Sequence, residues 1–413
     1  MNLNPFTTNT FTKIWLKHFS NDSTNILRGP FKDLQFYRTG KIPVYTNVGA
    51  NHTKGISYTF DKNNSESWKN KVFLIHDVPD YFNVDTTTSE PNLGNYKVTQ
   101  YPGFLIDLSP YKDLADFMGK KFSKSSRYKL NKYKKRLEAS FDIRYRMFRG
   151  EISKEEFDSI FNYFRNLLEK RFNDKEITNN NLDPKEWSFY HDVTYPMILE
   201  GTAGLYVIYH GDQPIGVTLN FFSEDILFDA ITVFDIDFFK FHLGSVTIMK
   251  LIEWSLENGF KTFDFSKGYF DYKTRWSSLE YPFEYHIYYD KTSFKARCIA
   301  SGLKWWYEQK QNLRKKGINE RFHKFTYSLK NRTKKTEKPT AYQFSDIDSA
   351  PSQDTLVRLP LKDERNQWLR PIIFDFLYLS TDTYNSIEVY QIKDQKNTFF
   401  ISGNESNKLL TLN

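Results

Sequence analysis

The chain has 413 residues, a formal net charge of +8 and one cysteine, Cys298. A single cysteine excludes disulfides within the chain, and 26% charged residues with a mean hydropathy of −0.63 are typical of a soluble globular protein. No apolar run approaches the ~20 residues of a membrane-spanning helix, and the first residues lack the basic and apolar segments of a secretory signal. We therefore expect a cytoplasmic protein.

Residues 1–115 contain short β-like runs, such as "KVFLIHDV" at 71–78 and "GFLIDLS" at 103–109, separated by loops rich in Asn, Asp, Thr and Gly. This pattern predicts an α+β region without a clear catalytic motif. Helical periods follow over residues 113–136 and 151–171, where apolar and aromatic residues recur at three- and four-residue steps.

The positive charge is concentrated in two strips. Residues 120–136 carry nine Lys and Arg and no acid, and residues 295–338 carry fourteen Lys and Arg against three Glu. Such strips attract phosphates, anionic lipid headgroups or nucleic acid. The alternative, which the sequence leaves open, is that both are solvated faces of helices.

The central region has the clearest pattern. Three β-like runs joined by the turns "GDQP" and "SED" predict an antiparallel meander over 204–210, 215–222 and 226–233. A helix is predicted from about Ser245 to Asn258, with Ser245 as its N-cap. A strand at 261–268 comes next, and this order of elements implies a parallel pair of strands with a right-handed crossover.

The last part of the chain differs in composition. The linker-like run "SDIDSAPSQD" precedes three strand candidates, at residues 372–379, 386–393 and 398–403. We predict a small β-rich appendage there, and a basic helical segment before it. Neither has an assigned chemistry.

The N-terminus of the predicted central helix is a candidate anion site. Unpaired backbone N–H groups and the positive end of the helix dipole meet there, so a phosphate or pyrophosphate would fit. Gly244, between Leu243 and Ser245, allows a ligand close to the backbone, and Lys240 could add charge. On its own this is weak, because many helices begin in the same way.

The carboxyl ends of the two parallel strands, near Val233 and residues 265–268, are a second candidate site. Ligands commonly bind where such strands diverge. Gly268 permits a sharp exit from the strand. A crowded aromatic and cationic cluster follows it: Tyr272, Lys273, Arg275 and Trp276. The alternative is that Tyr272 and Trp276 are core aromatics and that the cations are solvated.

Residues 100–290 resemble a known family. Its pattern is a small residue and Gly before a helix, then a strand ending Asp-Phe-x-x-Gly, then Tyr-Lys-x-x-Trp. Here these positions are Leu243-Gly244, Asp264-Phe265 with Gly268, and Tyr272-Lys273 with Trp276. The pattern is similar to that of GNAT-type acyltransferases of the CelD-like group, which are related to the FemABX peptidoglycan aminoacyltransferases. The chain departs from it where "FHLGS" supplies one glycine instead of Gly-x-Gly.

The resemblance implies an α+β (mixed α/β) fold with a GNAT-like mixed sheet, two related GNAT-type halves and the small C-terminal β-rich appendage. The predicted parts are an N-terminal half (1–115), a catalytic GNAT-type domain (116–294), the basic helical segment (295–340) and the appendage (341–413).

The resemblance also implies acyl or aminoacyl transfer to an amine, with acyl-CoA as the substrate in the strand gap. The amine must lose a proton and the leaving group must gain one. Asp264 and Asp229 are candidate bases, although Asp264 could instead tie the strand end to Arg275. Lys273 matches a position where FemABX relatives place a lysine facing the donor's phosphate or the reacting carbonyl. Tyr272 could protonate the leaving group.

The candidates for binding the donor come from both sites: Lys240, Leu243, Gly244, Ser245, Gly268, Arg275 and Trp276. No metal is expected, because no His clusters with Cys, Asp or Glu at metal-ligand spacing.

Three functions stay open. The first is a CoA-dependent N-acyltransferase acting on an amine of an envelope sugar or related metabolite. The second is a FemABX-like transferase that uses aminoacyl-tRNA, which the basic strips favour. The third is a non-catalytic module on an anionic membrane surface at the inner face, favoured by the Trp pair and cations of residues 299–317. Against the third, adjacent Trp305 and Trp306 are expected not to face lipid together.

Overall fold

The computed structural model describes residues 4–20, 26–38, 40–61, 67–87, 90–175, 182–315, 341–347 and 349–412. Its strands before residue 300 are β1 (Ile26–Arg28), β2 (Phe31–Lys32), β3 (Gln35–Arg38), β4 (Val44–Asn47), β5 (Thr59–Phe60), β6 (Val72–Pro79), β7 (Leu93–Asp107), β8 (Ile143–Phe148), β9 (Ala203–His210), β10 (Gln213–Phe222), β11 (Ile226–Phe234), β12 (Thr262–Lys267) and β13 (Leu279–Asp290). Apart from the small β2–β5 pair, they form one eleven-stranded sheet.

The helices of this region are α1 (Asn9–Phe19), α2 (Leu114–Lys121), α3 (Lys124–Ser140), α4 (Lys154–Lys175), α5 (Pro184–Leu199), α6 (Leu243–Glu257), α7 (Asp271–Trp276) and α8 (Phe294–Lys315). Short polar side chains start several of them. Ser123 caps α3 and Asp183 caps α5, where Pro184 occupies the first turn. Across the described residues, none of the helices combines the length and apolarity needed to cross a bilayer.

Two parallel pairs divide the large sheet symmetrically. The strand order is β1-β3-β4-β6-β13-β7-β12-β11-β10-β9-β8, in which β4 is parallel to β6 and β11 is parallel to β12. The other neighbouring strands are antiparallel. From either edge, antiparallel strands therefore lead to one parallel pair, with β13 and β7 in the middle. This repeat confirms the predicted mixed sheet with two related halves.

The two halves exchange strands. Strand β7, from the first predicted part, pairs with β12, and β13, from the second part, pairs with β6. Strands β6 and β12 run in opposite directions, and their carboxyl ends approach each other near Gly103, which lies opposite both Lys267 and Tyr281. The ends of both parallel pairs thus converge on the middle of the sheet. The predicted boundaries at residues 115 and 294 stay predictions.

Helices cover the sheet on both faces. Helices α1, α4 and α5 enclose one apolar core with side chains such as Phe11, Phe161 and Phe189, and α2, α3 and α6 enclose another. In α6 the buried residues Val246, Met249 and Ile252 recur at three-residue steps and face this second core. The alternation of the strands explains the arrangement, since successive residues of β11 enter opposite cores.

The C-terminal unit contains β14 (Tyr342–Asp346), β15 (Leu356–Arg358), α9 (Arg370–Leu379), β16 (Glu388–Ile392), β17 (Thr398–Ser402) and β18 (Asn407–Leu412). Its five strands form a separate sheet in the order β14-β18-β17-β16-β15, which confirms the β-rich appendage. The strand prediction for residues 372–379 is wrong. That run is helix α9, because Pro371 fits a first helical turn and the burial of Ile372, Ile373, Phe376 and Leu377 follows a helical period. The basic residues 316–340 lie outside the described residues.

Gly103→Ala is expected to lower the free energy of unfolding by about 1–3 kcal/mol, the usual cost of overpacking. A Cβ at Gly103 would lie 2.3 Å from the ring of Tyr281. Urea titration measures the change. Gly302→Ala is the matched control, because Gly302 lies in exposed α8 with nothing within 4 Å of the added methyl group, and alanine there should be neutral or slightly stabilising. Equal effects of the two substitutions would contradict the packing argument.

Candidate active site

Strands β11 and β12 separate in the middle of the sheet. Their last paired residues are Phe228 and Asp264. Immediately beyond, Asp229 lies opposite Asn220 while Ile231 lies opposite Leu219, so Ala230 is an extra, bulged residue. A bulge bends its strand and interrupts pairing, and such bulges often lie next to active sites. The separation therefore begins nearer to the start of β11 than the predicted Val233.

The carboxyl end of β12 has an unusual backbone at this opening. Ser266 has a φ of +60° and Gly268 a φ of +106°, a value that favours glycine. The Gly268 amide donates to the carbonyl of Pro102, which turns the chain toward α7. The Oγ of Ser266 is buried and has no hydrogen-bond partner among the described residues, so it is a polar group available to a ligand.

Asp264 is fully buried at the last paired position. Its carboxylate accepts hydrogen bonds from the hydroxyls of Tyr281 (2.7 and 2.8 Å) and Tyr81 (2.8 Å) and from the amide of Ser266 (2.6 Å). Burial raises the pKa of Asp264 to about 6, although these hydrogen bonds oppose the rise. Asp264 thus joins β12, β13 and the turn after β6. The suggested tie to Arg275 is wrong, since the Arg275 guanidinium lies 5.8 Å from the Phe122 ring centroid instead.

Lys273 and Asp229 approach the opening from opposite sides. Burial lowers the pKa of Lys273 to about 8, while the charges of Asp229 and Asp264 oppose the shift. The Lys273 Nζ donates to the carbonyls of Lys267 (3.0 Å) and Ser266 (3.3 Å), so it holds the end of β12. Asp229 accepts a hydrogen bond of 2.7 Å from Thr232. Burial raises the pKa of Asp229 above its usual value.

The two aromatic residues of α7 have different surroundings. Tyr272 is 42% exposed, and burial of its hydroxyl together with the charge of Asp229 raises its pKa. Trp276 is 1% exposed and packs against Phe122, with ring centroids 4.8 Å apart. Trp276 is therefore a core aromatic, which was the alternative interpretation of the sequence. Its indole supports α7 and offers no surface to a donor. Tyr272 borders the opening.

The start of α6 differs from the prediction. The helix begins at Leu243, its N-cap is His242 in the left-handed region (φ +49°), and Ser245 lies inside the first turn. The N-cap assignment of Ser245 is wrong, because the chain enters the helix three residues earlier, at His242, directly after a 3-10 segment. A Cβ at Gly244 would lie 2.6 Å from the ring of Phe234, so that glycine accommodates a packed ring.

Lys240 has a protein partner of its own. Its Nζ lies 3.7 Å from a carboxylate oxygen of Asp375 in the C-terminal unit. Burial lowers the pKa of the His242 imidazole, and the positive charge of Arg275 lowers it further. Lys240 and Arg275 are the two cations proposed to bind the donor. Of these, Arg275 has no carboxylate partner among the described residues, and its charge acts on the start of α6.

The sequence reasoning missed the groups that the N-terminal half contributes. Asp77, fully buried at the end of β6, accepts hydrogen bonds from Lys267 (2.5 Å), Gln100 (2.9 Å) and Thr53 (2.9 Å). Burial alone would raise the pKa of Asp77, but Lys267 and these hydrogen bonds keep it below its usual value. The sequence contained a signal for Asp77, because this carboxylate interrupts the apolar run "KVFLIHDV".

Lys54 is the second missed group. It follows Thr53, which bonds to Asp77, and burial with the charges of Lys267 and Lys273 lowers its pKa to about 8. Within the described residues, no hydrogen bond or ion pair of the Lys54 side chain is found. The opening between the halves thus combines three lysines with three aspartates: Lys54, Lys267, Lys273, Asp77, Asp229 and Asp264.

Lys267→Met is expected to cost about 3–5 kcal/mol of unfolding free energy, because it leaves the buried Asp77 carboxylate uncompensated. Asp77 has a lowered pKa, so its contribution is present above its unfolded pKa and is lost as the pH falls through the folded pKa. In the variant this loss should begin at higher pH. Urea titrations at several pH values measure both effects.

Lys261→Met is the matched control. It lies just before the same strand, its side chain is 68% exposed, and its Nζ is 3.9 Å from Asp225. A change below about 1 kcal/mol is expected for such a surface pair. If the Lys267 variant were as stable as the Lys261 control, the stabilising role assigned to the Asp77–Lys267 pair would be contradicted.

The chain is similar to known proteins in sequence and in structure. Residues 124–274 match the family model described as an acetyltransferase (GNAT) domain, and no curated protein matches the chain. Among solved structures, FemX is similar with a TM-score of 0.48 and 10% identity, over 69% of this chain and 92% of that one.

L-PGS from Bacillus licheniformis is similar with a TM-score of 0.42 and 10% identity, over 74% of this chain and 98% of that one. A tandem GNAT protein from the clavulanic acid biosynthesis pathway has a TM-score of 0.32 and 8% identity, over 61% of this chain and 77% of that one. The family match covers the meander, the bulged strand, α6, β12 and most of α7. Residues 124–274 of this chain are therefore similar to a GNAT acetyltransferase domain.

Proposed function

We propose that this chain transfers an acyl group from an acyl-CoA thioester to the amine of an acceptor, which is a saccharide of the cell envelope or a related metabolite. The match of residues 124–274 to a GNAT domain supports a transferase, and the donor, the acceptor and a cytoplasmic reaction are our proposal. The observation that carries it is the opening between β11 and β12, with Asp229, Ser266 and Lys273 around it. Diverging parallel strands are a common ligand site.

The start of α6 fits the donor's pyrophosphate in part. No side chain caps the helix, and among the described residues only the amides of Ser245 and Val246 bond to the His242 carbonyl. The Gly244 amide has no described partner and its residue is partly exposed, so it is open to an anion, and Arg275 can add charge. Lys240 is less available because of Asp375. We assign the pyrophosphate to the Gly244 amide and Arg275.

We assign Asp229 as the base. When bound, the donor supplies an activated carbonyl, and the acceptor ammonium must lose a proton before its nitrogen can attack. The raised pKa of Asp229 makes it a stronger base than an exposed carboxylate, and its single described hydrogen bond, from Thr232, leaves lone pairs free.

We assign Tyr272 as the acid. The carbon–nitrogen bond forms and the carbon–sulfur bond breaks, and the Tyr272 hydroxyl gives its proton to the departing thiolate. The second amine proton then returns to the Tyr272 oxygen. The proton on Asp229 leaves to solvent, so that thioester and ammonium become amide, thiol and one proton.

Lys273 and Asp264 have supporting roles in this proposal. The Lys273 ammonium, fixed by two carbonyls, places positive charge near the oxygen on which negative charge develops. Asp264 is saturated by four hydrogen bonds, which suits it to holding Tyr81, Tyr281 and the end of β12 in place. Asp264 is a positioning residue here, whereas Lys273 stabilises the developing charge directly.

A transferase that takes its acyl group from aminoacyl-tRNA is the second candidate. The exposed cations of α3 favour it: Lys124, Lys129, Lys132 and Lys135. Exposed Tyr128 lies among them, and aromatic side chains between cations suit nucleic acid. Isothermal titration with acetyl-CoA separates the candidates. No binding at millimolar donor, together with nucleic acid that copurifies and is removed by nuclease, would favour tRNA.

Asp229→Asn is expected to lower kcat by about 10²–10⁴-fold, the usual contribution of a general base, with acetyl-CoA affinity nearly unchanged. In the wild type the rate should fall as the pH drops through the raised pKa of Asp229, because the carboxylate becomes protonated. A thiol-release assay over pH measures the rate, and titration calorimetry measures donor binding.

Asp225→Asn, in the same hairpin, is the control. Asp225 contacts Lys261 only at 3.9 Å through its side chain, so activity within twofold of the wild type is expected. If the Asp229 variant kept full activity and its pH profile, Asp229 would not be the base.

A further inference from the structure

We propose that the exposed face of helix α8 binds an anionic membrane surface. This inference rests on α8 alone and is independent of the proposed donor and acceptor. One side of the helix packs on the sheet through the buried Ala296 and Ala300, with Leu303 and Tyr307 beside them. The other side faces solvent.

The solvent side of α8 carries an unusual set of large apolar residues. The exposed fractions are 73% for Phe294, 60% for Trp305, 59% for Trp306 and 50% for Leu313. At 3.6 residues per turn these four side chains fall within an arc of about 120°. An arc of this width is an amphipathic face that a bilayer interface can accept along the length of a helix.

The two tryptophans share this face. The sequence suggested that Trp305 and Trp306 could not both meet lipid, because adjacent residues point about 100° apart on a helix. Both are nevertheless more than half exposed, because the packed residues lie on the opposite side. Trp favours the membrane interface, where its ring meets apolar groups and its N–H meets water. Two adjacent indoles therefore widen the contact face.

The charge of α8 complements anionic lipid. The helix contains six Lys and Arg and one acid, Glu308. Glu308 lies 3.7 Å from Lys304, and Lys295, Arg297 and Lys310 are exposed. Juxtamembrane cations of this kind are attracted to anionic headgroups. The same excess of positive charge on each molecule opposes contact between two copies of this face.

The C-terminal end of α8 lies over the middle of the large sheet. Tyr307 stacks on Tyr285 with ring centroids 4.0 Å apart, and the Arg314 guanidinium lies 3.7 Å from the Tyr101 ring centroid. Tyr101 precedes Pro102, whose carbonyl accepts from Gly268 at the strand opening. A docked α8 would therefore bring the bilayer close to the region where the strand ends meet.

Cosedimentation of the full chain with vesicles tests the proposal. The vesicles are phosphatidylcholine alone, or phosphatidylcholine and phosphatidylglycerol in a ratio of about 7:3, each at low and high salt. We expect binding to the anionic vesicles only, weakened by salt. Trp305→Ala with Trp306→Ala should reduce the bound fraction at least about tenfold. Trp368→Ala, at an exposed indole of the C-terminal unit, should change it less than twofold.

The fluorescence difference between wild type and the double variant reports the two indoles directly. A red, water-like difference spectrum that shifts to the blue with anionic vesicles supports the proposal. Wild type that stays in the supernatant at low salt would overturn it, as would an undiminished double variant. A difference spectrum already blue without vesicles would also overturn it, since another part of the chain or a second copy would then cover the face. Thermal unfolding of the double variant near that of the wild type excludes misfolding.

Discussion

The buried pair of Asp77 and Lys267 is the interaction on which the architecture of the site depends. Asp77 lies near the end of β6 in the N-terminal half, Lys267 ends β12 in the second half, and the Asp77 side chain is fully buried where the two meet. In the loop around Lys54, the Asp77 carboxylate accepts from the Thr53 hydroxyl and the Asn51 amide, and the Asp77 main-chain carbonyl accepts from the Ile56 amide. One carboxylate thus fixes the ends of two strands and a loop, and its removal would leave buried charge without compensation.

This pairing explains why a single opening serves both halves. The sheet has two parallel pairs, and the carboxyl ends of β6 and β12 converge near Gly103. Lys267, at the end of β12, is neutralised by Asp77 from the other half. Lys273 is held by two carbonyls at the end of β12 in its own half. Lys54 keeps no described partner, so the opening retains a cation for an anionic substrate group.

Much of the catalytic half could be predicted from the sequence, because its elements are local. The meander, the crossover helix and β12 follow from short alternating runs and turn residues. The predicted strand at 372–379 was wrong because a short apolar run has no decisive period. Trp276 could not be placed, since burial depends on distant Phe117 and Phe122. Asp77 and Tyr81 were missed for the same reason, because their partners Lys267 and Asp264 lie far along the chain. Lys54 was missed because the charges that act on it, Lys267 and Lys273, are equally distant in sequence.

The C-terminal unit belongs to the site through the segment that precedes α6. In that segment Asp235 and Asp237 are buried side by side, and Lys170 of α4 lies 2.6 and 2.7 Å from their carboxylates. Arg370, at the start of α9, adds a second cation 3.5 and 3.7 Å away.

Burying two carboxylates side by side is costly, and the two cations offset that cost. Arg136 of α3 also donates to the carbonyls at the end of α9. Residues of the C-terminal unit thus fix the segment that presents the first amides of α6. A change at Arg370 would therefore act on the start of α6 through Asp235 and Asp237.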